Sequence, residues 1–241
     1  MELAVRRVES AIAKGEKVLV HGDYDADGMS ATALLTLALR RAGADVESFV
    51  PHRTRDGYDL SEAGLVRAAR IGASLIVTAD CGVTAVDAVA RARRQGRDVV
   101  VTDHHRPGDR MPAALAVVNP MRPDNRYPFR PLAGVGVAFK LVQALFDRAG
   151  IPDAEANQHL DLVAIGTVAD QMPLQDENRI LVKAGLRALA RSRKPGVRAL
   201  LEKAGVTGSE SRGAEQISYR LGPRLNSVGR MGSADSGLQL L

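Results

Sequence analysis

"VLVHGDYDADGMSATALL" (Val18–Leu35) runs a short apolar strand pattern into three aspartates, Asp23, Asp25 and Asp27, then a glycine, then an apolar helical pattern. The strand reads from "KVLVHG". The helix reads from "SATALLTLALRRAG", with Ser30 as its N-cap and Gly43 as its C-cap. Like charges this close repel, so the stretch needs solvent or a countercharge. An EF-hand loop is excluded: Asp23, Asp25, Asp27 and Gly28 match its first half, but Leu34 stands where the bidentate Glu is required. A dinucleotide turn is excluded too, because no G-x-G-x-x-G is present and carboxylates stand where a pyrophosphate would lie. The chain has no G-x-x-x-x-G-K-[ST] phosphate loop either.

The alternation continues downstream. "VESFVP" reads as a strand, "SEAGLVRAARIG" as a helix capped by Ser61, "SLIVTADCG" as a strand ending in Asp80, and "AVDAVARARRQG" as a helix. "DVVVTDHH" is a strand ending in Asp103, His104 and His105, and "LAVVNP" is a short fifth strand. Strands alternating with helices predict an α/β fold, a parallel sheet flanked by helices. Ligands of such sheets bind outside the carboxyl ends of the strands. The pattern therefore brings "HGDYDADG", "TADCG" and "TDHH" to one edge.

Beyond a Pro- and Arg-rich loop, "MRPDNRYPF", the patterns turn helical. They are "GVGVAFKLVQALFDRAG", the apolar "NQHLDLVAIGTVADQMPL" that delivers Asp170 to its end, "ENRILVKAGLRALARS" and "PGVRALLEKAG". The end, "SYRLGPRLNSVGRMGSADSGLQLL", reads as a Gly- and Arg-rich loop followed by an apolar helix. The expected organisation is a catalytic domain over residues 1–232, α/β over about 1–120 and mostly helical over 121–232. Residues 233–241 are expected to begin a helix leading to one or more C-terminal domains outside this chain.

Of the 241 residues, 45% are hydrophobic and 25% charged, which suits a globular protein with a sizeable core. No apolar run is long enough to span a bilayer. "MELAVRRVESAIAKGEK" reads as an amphipathic helix with Leu3, Val5, Val8, Ala11 and Ile12 on one side, not as a secretory signal. The single cysteine, Cys81, rules out an internal disulfide and fits a reducing cytoplasm; it is expected to be a small buried filler. The net charge of +5 fits a polyanionic substrate as well as plain solubility. Aromatic residues are only 3%, so a nucleic-acid grip would rest on Arg, Lys and backbone groups, with Tyr24, Tyr58, Tyr127 and Phe129 as the few stacking candidates.

One acidic turn alone would be a solvated turn. Acids and histidines recurring at three strand ends argue otherwise, and this donor mixture suits Mn²⁺ or a similar divalent ion. Two such ions roughly 3.5–4 Å apart can activate water and stabilise in-line displacement at phosphorus. A carboxylate must bridge them, and Asp80, at the end of a middle strand, is the candidate.

In this order, "DYDADG", "TADCG", "TDHH" and "GTVADQMPL" resemble the motifs of the DHH phosphoesterase superfamily, named for the run that stands here as Asp103-His104-His105. "GPRLNSVGRM" is similar to a further motif of its RecJ branch, the single-strand-specific 5′→3′ exonucleases. The resemblance covers nearly the whole chain. It implies two Mn²⁺ (or Mg²⁺) ions: Asp25 and Asp80 holding one, with Asp23 or His21 completing it, and Asp27, Asp80, His104 and Asp170 holding the other. His105 would orient the scissile phosphate or protonate the leaving oxygen, and Asp103 would orient a histidine. Arg224, Asn226, Ser227 and Arg230 would grip phosphate, against the alternative of a solvated turn. Gly134 and Gly136 would serve close packing or substrate approach. His52 and His159 are expected to stay outside the site.

The substrate so implied is the 5′ end of single-stranded DNA, cut to 5′-mononucleotides in repair and recombination. Partners would be a single-strand-binding protein or a helicase, with no membrane. Two rivals stand beside this: another phosphoesterase of the superfamily (oligoribonuclease, cyclic-dinucleotide phosphodiesterase or pyrophosphatase), and a non-catalytic DNA-binding scaffold with the same fold. The filled ligand positions argue against the scaffold.

Overall fold

Apolar, β-branched runs form five strands: β1 (Lys17–Gly22), β2 (Asp45–Phe49), β3 (Leu75–Ala79), β4 (Asp98–Thr102) and β5 (Ala116–Val118). In the computed structural model, which describes residues 1–206, 213–231 and 234–241, they pair in parallel in the order β2-β1-β3-β4-β5. The chain leaves β1 toward one side of the sheet to form β2, then returns to form β3 on the other. The order therefore reverses between β1 and β3, the place where such sheets open a crevice. Gly22 pairs with Ala79, so β1 and β3 end level and Asp23 and Asp80 emerge side by side. The Asp80 N–H donates to Thr102 O at 3.0 Å, which brings the end of β4 to the same height.

Alternating residues split the sheet between two cores. Val18, Val20, Val77 and Val100 face α1 (Glu2–Ala13), α2 (Ala26–Arg41) and α5 (Gly134–Arg148). Leu19, Ile76, Val99 and Val101 face α3 (Glu62–Ile71) and α4 (Val86–Arg94). The rest is helical among the described residues: α6 (Asp153–Asn157), α7 (Leu160–Ala169), α8 (Asp176–Leu189), α9 (Pro195–Lys203), α10 (Ala214–Gln216), α11 (Gly222–Met231) and α12 (Ala234–Leu240). The almost wholly buried α7 packs on α2, α5 and α8. No helix among the described residues is long and apolar enough to cross a membrane. The expected domain boundary at 232/233 lies outside the described residues.

Four local expectations are corrected. The helix after β1 starts at Ala26, not at Ser30: Asp25 caps it by accepting the Gly28 N–H at 2.9 Å, so the acidic motif is itself the first turn. Its C-cap is Ala42, with Gly43 following at φ +93°. In α1 the buried face is Ala4, Val5, Val8 and Ala11, and Leu3 is 61% exposed. "GPRLNSVGRM" is a helix rather than a loop. The π-helical turn Ile217–Leu221 widens the backbone ahead of Pro223, which has no N–H to donate. Leu221 and Leu225, four residues apart, then anchor one face in the core.

Phe139→Ala, which empties a fully buried position on α5, should cost about 3–5 kcal/mol in urea unfolding. Leu3→Ala should stay within about 0.5 kcal/mol. A comparable loss for Leu3→Ala would contradict the face assigned to α1.

Candidate metal centre

The level strand ends place Asp23, Asp80 and Asp103 in one row, all buried. Asp27, in the first turn of α2, is buried and accepts the N–H groups of Gly134 (2.7 Å) and Val135 (3.0 Å) at the start of α5. A helix N-terminus is a favourable place for a negative charge. Asp80 takes φ +63°, uncommon outside glycine, which turns its carboxylate toward α5. A Cβ on Gly134 would lie 2.2 Å from Asp80 Oδ1, so this glycine is what lets the carboxylate approach. Gly136 has no such role: a Cβ there meets only Leu132, at 3.4 Å.

The ligand-capable atoms gather into overlapping groups, each within 4.8 Å: Asp23, Asp25 and Asp80; Asp27, His104 and Asp170; and Asp80, His104 and His105. Asp80 thus stands between the acids of the turn from β1 into α2 and the histidines of the "DHH" run. His104 Nδ1 donates to Leu132 O at 3.0 Å, which leaves its Nε2 as a lone pair. That Nε2 lies 3.1 Å from Asp80 Oδ1, 3.7 Å from Asp170 Oδ2 and 4.0 Å from Asp27 Oδ2.

Asp103 plays a different part. One oxygen accepts the backbone N–H groups of His104 (2.7 Å) and His105 (3.1 Å) and the His105 Nδ1 (2.8 Å); the other accepts Val83 N–H at 2.8 Å. It orients His105 and is not free to face the acidic groups. The Tyr58 hydroxyl lies 3.3 Å from His105 Nδ1, and Thr84 Oγ1 donates to Asp59 at 2.6 Å, tying the loop after β2 to the site.

Charge and burial act together here. Burial, then the neighbouring Asp25, pushes Asp23 up to about 7. Burial, then Asp25, pushes Asp170 up to about 6. Asp27 and Asp80 lie well above the ordinary carboxylate range, through burial first and other aspartates second. Burial lowers His104, with the charge of His105 adding to it. The Asp103 hydrogen bond outweighs burial and raises His105 to about 9. Burial would raise Asp103, but the His105 hydrogen bond and charge overcome it and hold it low.

A cavity of about 490 Å³ opens over these residues, with Asp23, Asp25, His105 and Asp170 on its floor. Of the four expected phosphate-gripping residues, Asn226 and Arg230 line it. Arg224 and Ser227 do not: as α11 is a helix, their side chains bond back to the Arg220 and Arg224 carbonyls. Asn226 Oδ1 accepts the Ala26 N–H at 2.7 Å, which pins α11 to the first turn of α2. A Cβ on Gly229 would meet Tyr24 O at 2.2 Å, so α11 lies directly on the acidic motif.

His21 stays apart from the acids. Its ring is fully buried, 3.4 Å from Ser61 Oγ and 3.8 Å from Cys81 Sγ, and burial lowers it to about 4. The ring needs the space at Gly64, where a Cβ would come within 2.2 Å. Between His21 and Asp23, the structure brings only Asp23 to Asp25 and Asp80. Cys81 is buried, as expected of a filler. His52 and His159 lie outside the cavity, although burial pushes His159 down to about 4 and leaves its Nδ1 without a partner among the described residues. Sequence reasoning missed Arg53 and Gln171, which line the cavity beside Tyr24 and Tyr58. The signal was present: Arg53 follows the carboxyl end of β2, a fourth strand ending on the same edge.

Comparison with known proteins agrees with this architecture. The model of the DHH family, N-terminal domain, matches residues 17–167. The single-stranded-DNA-specific exonuclease RecJ of Bacillus subtilis (strain 168) is 42% identical over 241 residues, 100% of this chain and 30% of that protein. RecJ of Escherichia coli (strain K12) is 43% identical over 252 residues, 100% of this chain and 44% of that protein. A crystal structure of exonuclease RecJ bound to manganese superposes with a TM-score of 0.88 at 40% identity, over 99% of this chain and 59% of that one. RecJ of Thermus thermophilus in complex with Mn²⁺ gives 0.83 at 38% identity, over 99% and 34%. The chain spans less than half the length of these curated relatives. With the match running from the first strand into α7 and the DHH run in place at the end of β4, the chain belongs to the DHH family.

Proposed function

We propose that the chain is the catalytic core of a metal-dependent exonuclease that removes 5′-mononucleotides from the 5′ end of single-stranded DNA. One observation carries the reading: buried acceptors face one another around Asp80 with no donor between them. Asp23 Oδ1 and Asp80 Oδ1 are buried without a hydrogen-bond partner among the described residues, and the His104 lone pair points at the same space. Such a set is costly when left alone. The mixture of carboxylate oxygens and one imidazole fits Mn²⁺ or Mg²⁺. Asp23, Asp25 and Asp80 would hold one ion, and Asp27, Asp80, His104 and Asp170 the other.

Bound there, two such ions supply an activated water and stabilise the charge of in-line displacement at phosphorus. The protein's own groups do the rest. Asp103 keeps His105 protonated and fixed, so its other ring nitrogen offers a proton to a phosphate or leaving oxygen at the cavity. The Asn226 oxygen is engaged by Ala26, which leaves its amide N–H groups, with Arg230 and Arg53, as donors to phosphate. The single-stranded-DNA specificity named for the relatives supports the substrate, and the family resemblance supports the 5′ polarity. A role in repair and recombination, cytoplasmic location and partnership with a single-strand-binding protein or a helicase belong to the same reading.

With Mn²⁺, the chain should release mononucleotides from end-labelled single-stranded DNA and spare duplex; faster turnover of short oligoribonucleotides would overturn the substrate assignment. Asp80→Ala should lower Mn²⁺-dependent cleavage by more than about 100-fold. His105→Ala should cost about 10²–10⁴-fold while keeping Mn²⁺-induced thermal stabilisation, which separates proton supply from ion binding.

A pH dependence follows from the raised carboxylates. An acid whose folded pKa exceeds its unfolded value contributes stability below the unfolded value and loses it as pH rises through the folded one. In chelator, the melting temperature should therefore fall as pH rises from about 4 to about 7, across the Asp170 and Asp23 values of about 6 and about 7. Mn²⁺ should restore more stability at pH 8 than at pH 5. Asp80→Asn should raise the metal-free melting temperature at pH 8 and shrink the Mn²⁺ effect.

A further inference from the structure

We propose that the exposed face of α8 is a track for the phosphate backbone of the strand beyond the cleaved nucleotide. This rests on the exonuclease reading above and assigns a second contact surface to it. Between Glu177 and Glu202 the chain has seven Lys and Arg and no Asp or Glu, more than the whole net charge of +5. Four of the seven, Arg179, Lys183, Arg187 and Arg191, recur every fourth residue and are all exposed. Arg179, Lys183 and Arg187 form a ridge along one face of α8, spaced about 6 Å apart and about 12 Å long, and Arg191 follows in the turn just past its end.

The ridge is not an ordinary solvated face. Among the described residues none of these four side chains makes an ion pair or a hydrogen bond, whereas Lys194 nearby is held by the buried Asp161. Like charges at i and i+4 destabilise a helix unless something external neutralises them. A groove of about 270 Å³ runs beside Lys183, Arg187 and Arg191, over Leu186 and Ala190. Ile180, on the same side, is 68% exposed and offers apolar surface to a sugar or base.

Position identifies the occupant. Asp170 and Gln171 line the cavity, and α8 starts at Asp176. A Cβ on Gly185, in the second half of α8, would meet Leu160 O at 2.2 Å, at the opposite end of α7 from Asp170. Hence α8 runs antiparallel to α7, with Arg179 at the cavity end and Arg191 farthest from it. A linear row of cations leading away from a phosphodiester-cleaving site matches a linear polyanion, the strand that the site is shortening.

The test compares the wild-type chain with the triple variant Arg179→Gln, Lys183→Gln, Arg187→Gln. Binding of a 3′-fluorescein-labelled 20-mer of thymidylate is measured in chelator across a salt series. Mn²⁺-dependent hydrolysis of the p-nitrophenyl ester of thymidine 5′-monophosphate, too short to reach α8, is measured alongside. The expected result is at least a 10-fold loss of 20-mer affinity near physiological salt. The slope of log K against log salt should become shallower by about 2, from about 0.7 per lost contact. Ester hydrolysis and melting temperature should match wild type. The single variant Lys183→Gln should shift the slope by about 0.7, and Arg187→Lys should leave it unchanged. Wild-type affinity and slope in the folded triple variant would overturn the proposal, and so would a ridge occupied by an acidic protein segment, which leaves both DNA readouts unmoved. Failure of the exonuclease reading shows separately, as a wild-type chain that does not cleave the ester or single-stranded DNA with Mn²⁺.

Discussion

Carboxylates crowded into a buried space are the constraint on which the rest of this structure depends. Asp23, Asp27 and Asp80 are almost fully buried, and burial first, then the charges of neighbouring aspartates, raises their pKa values. Burial keeps most water from them, and the protein supplies donors to only some of their oxygens. Asp27 is held by two N–H groups at the start of α5, whereas Asp23 and Asp80 each keep a bare oxygen. The fold accepts this cost at one edge of the sheet and offsets it with a large apolar core beneath.

The topology explains why the cost falls there. A sheet whose strand order reverses between β1 and β3 opens at their carboxyl ends, and the level register of β1, β3 and β4 sets three aspartates in a row. Glycines do the fine positioning. Gly134 admits Asp80, Gly64 admits the His21 ring, and Gly229 admits the backbone of Tyr24 against α11. A methyl group at any of these points would collide with an atom the site uses or leans on.

Much of this was legible in the amino-acid sequence, because strand ends and acidic residues are local facts. The alternation of apolar runs predicted the parallel sheet, and the recurrence of acids at strand ends predicted the gathering of Asp23, Asp80 and Asp103 at one edge. What escaped prediction depends on packing. Whether a buried histidine faces the acids or turns away cannot be read from its spacing, and His21 turns toward Ser61. The Gly- and Arg-rich stretch around Arg224 looked like a loop because its glycines, which in fact allow close packing, resemble turn residues; its leucines at spacing four marked a helix. Arg53 was missed because the second strand's end carried no acid to mark it.

Anomalous scattering from crystals soaked in Mn²⁺ would locate the ions around Asp80 directly. Two peaks are expected with the Asp80 carboxylate between them, one beside Asp23 and Asp25 and the other beside Asp27, His104 and Asp170. A single peak, or a pair in which Asp80 ligates neither ion, would overturn the bridging role of Asp80.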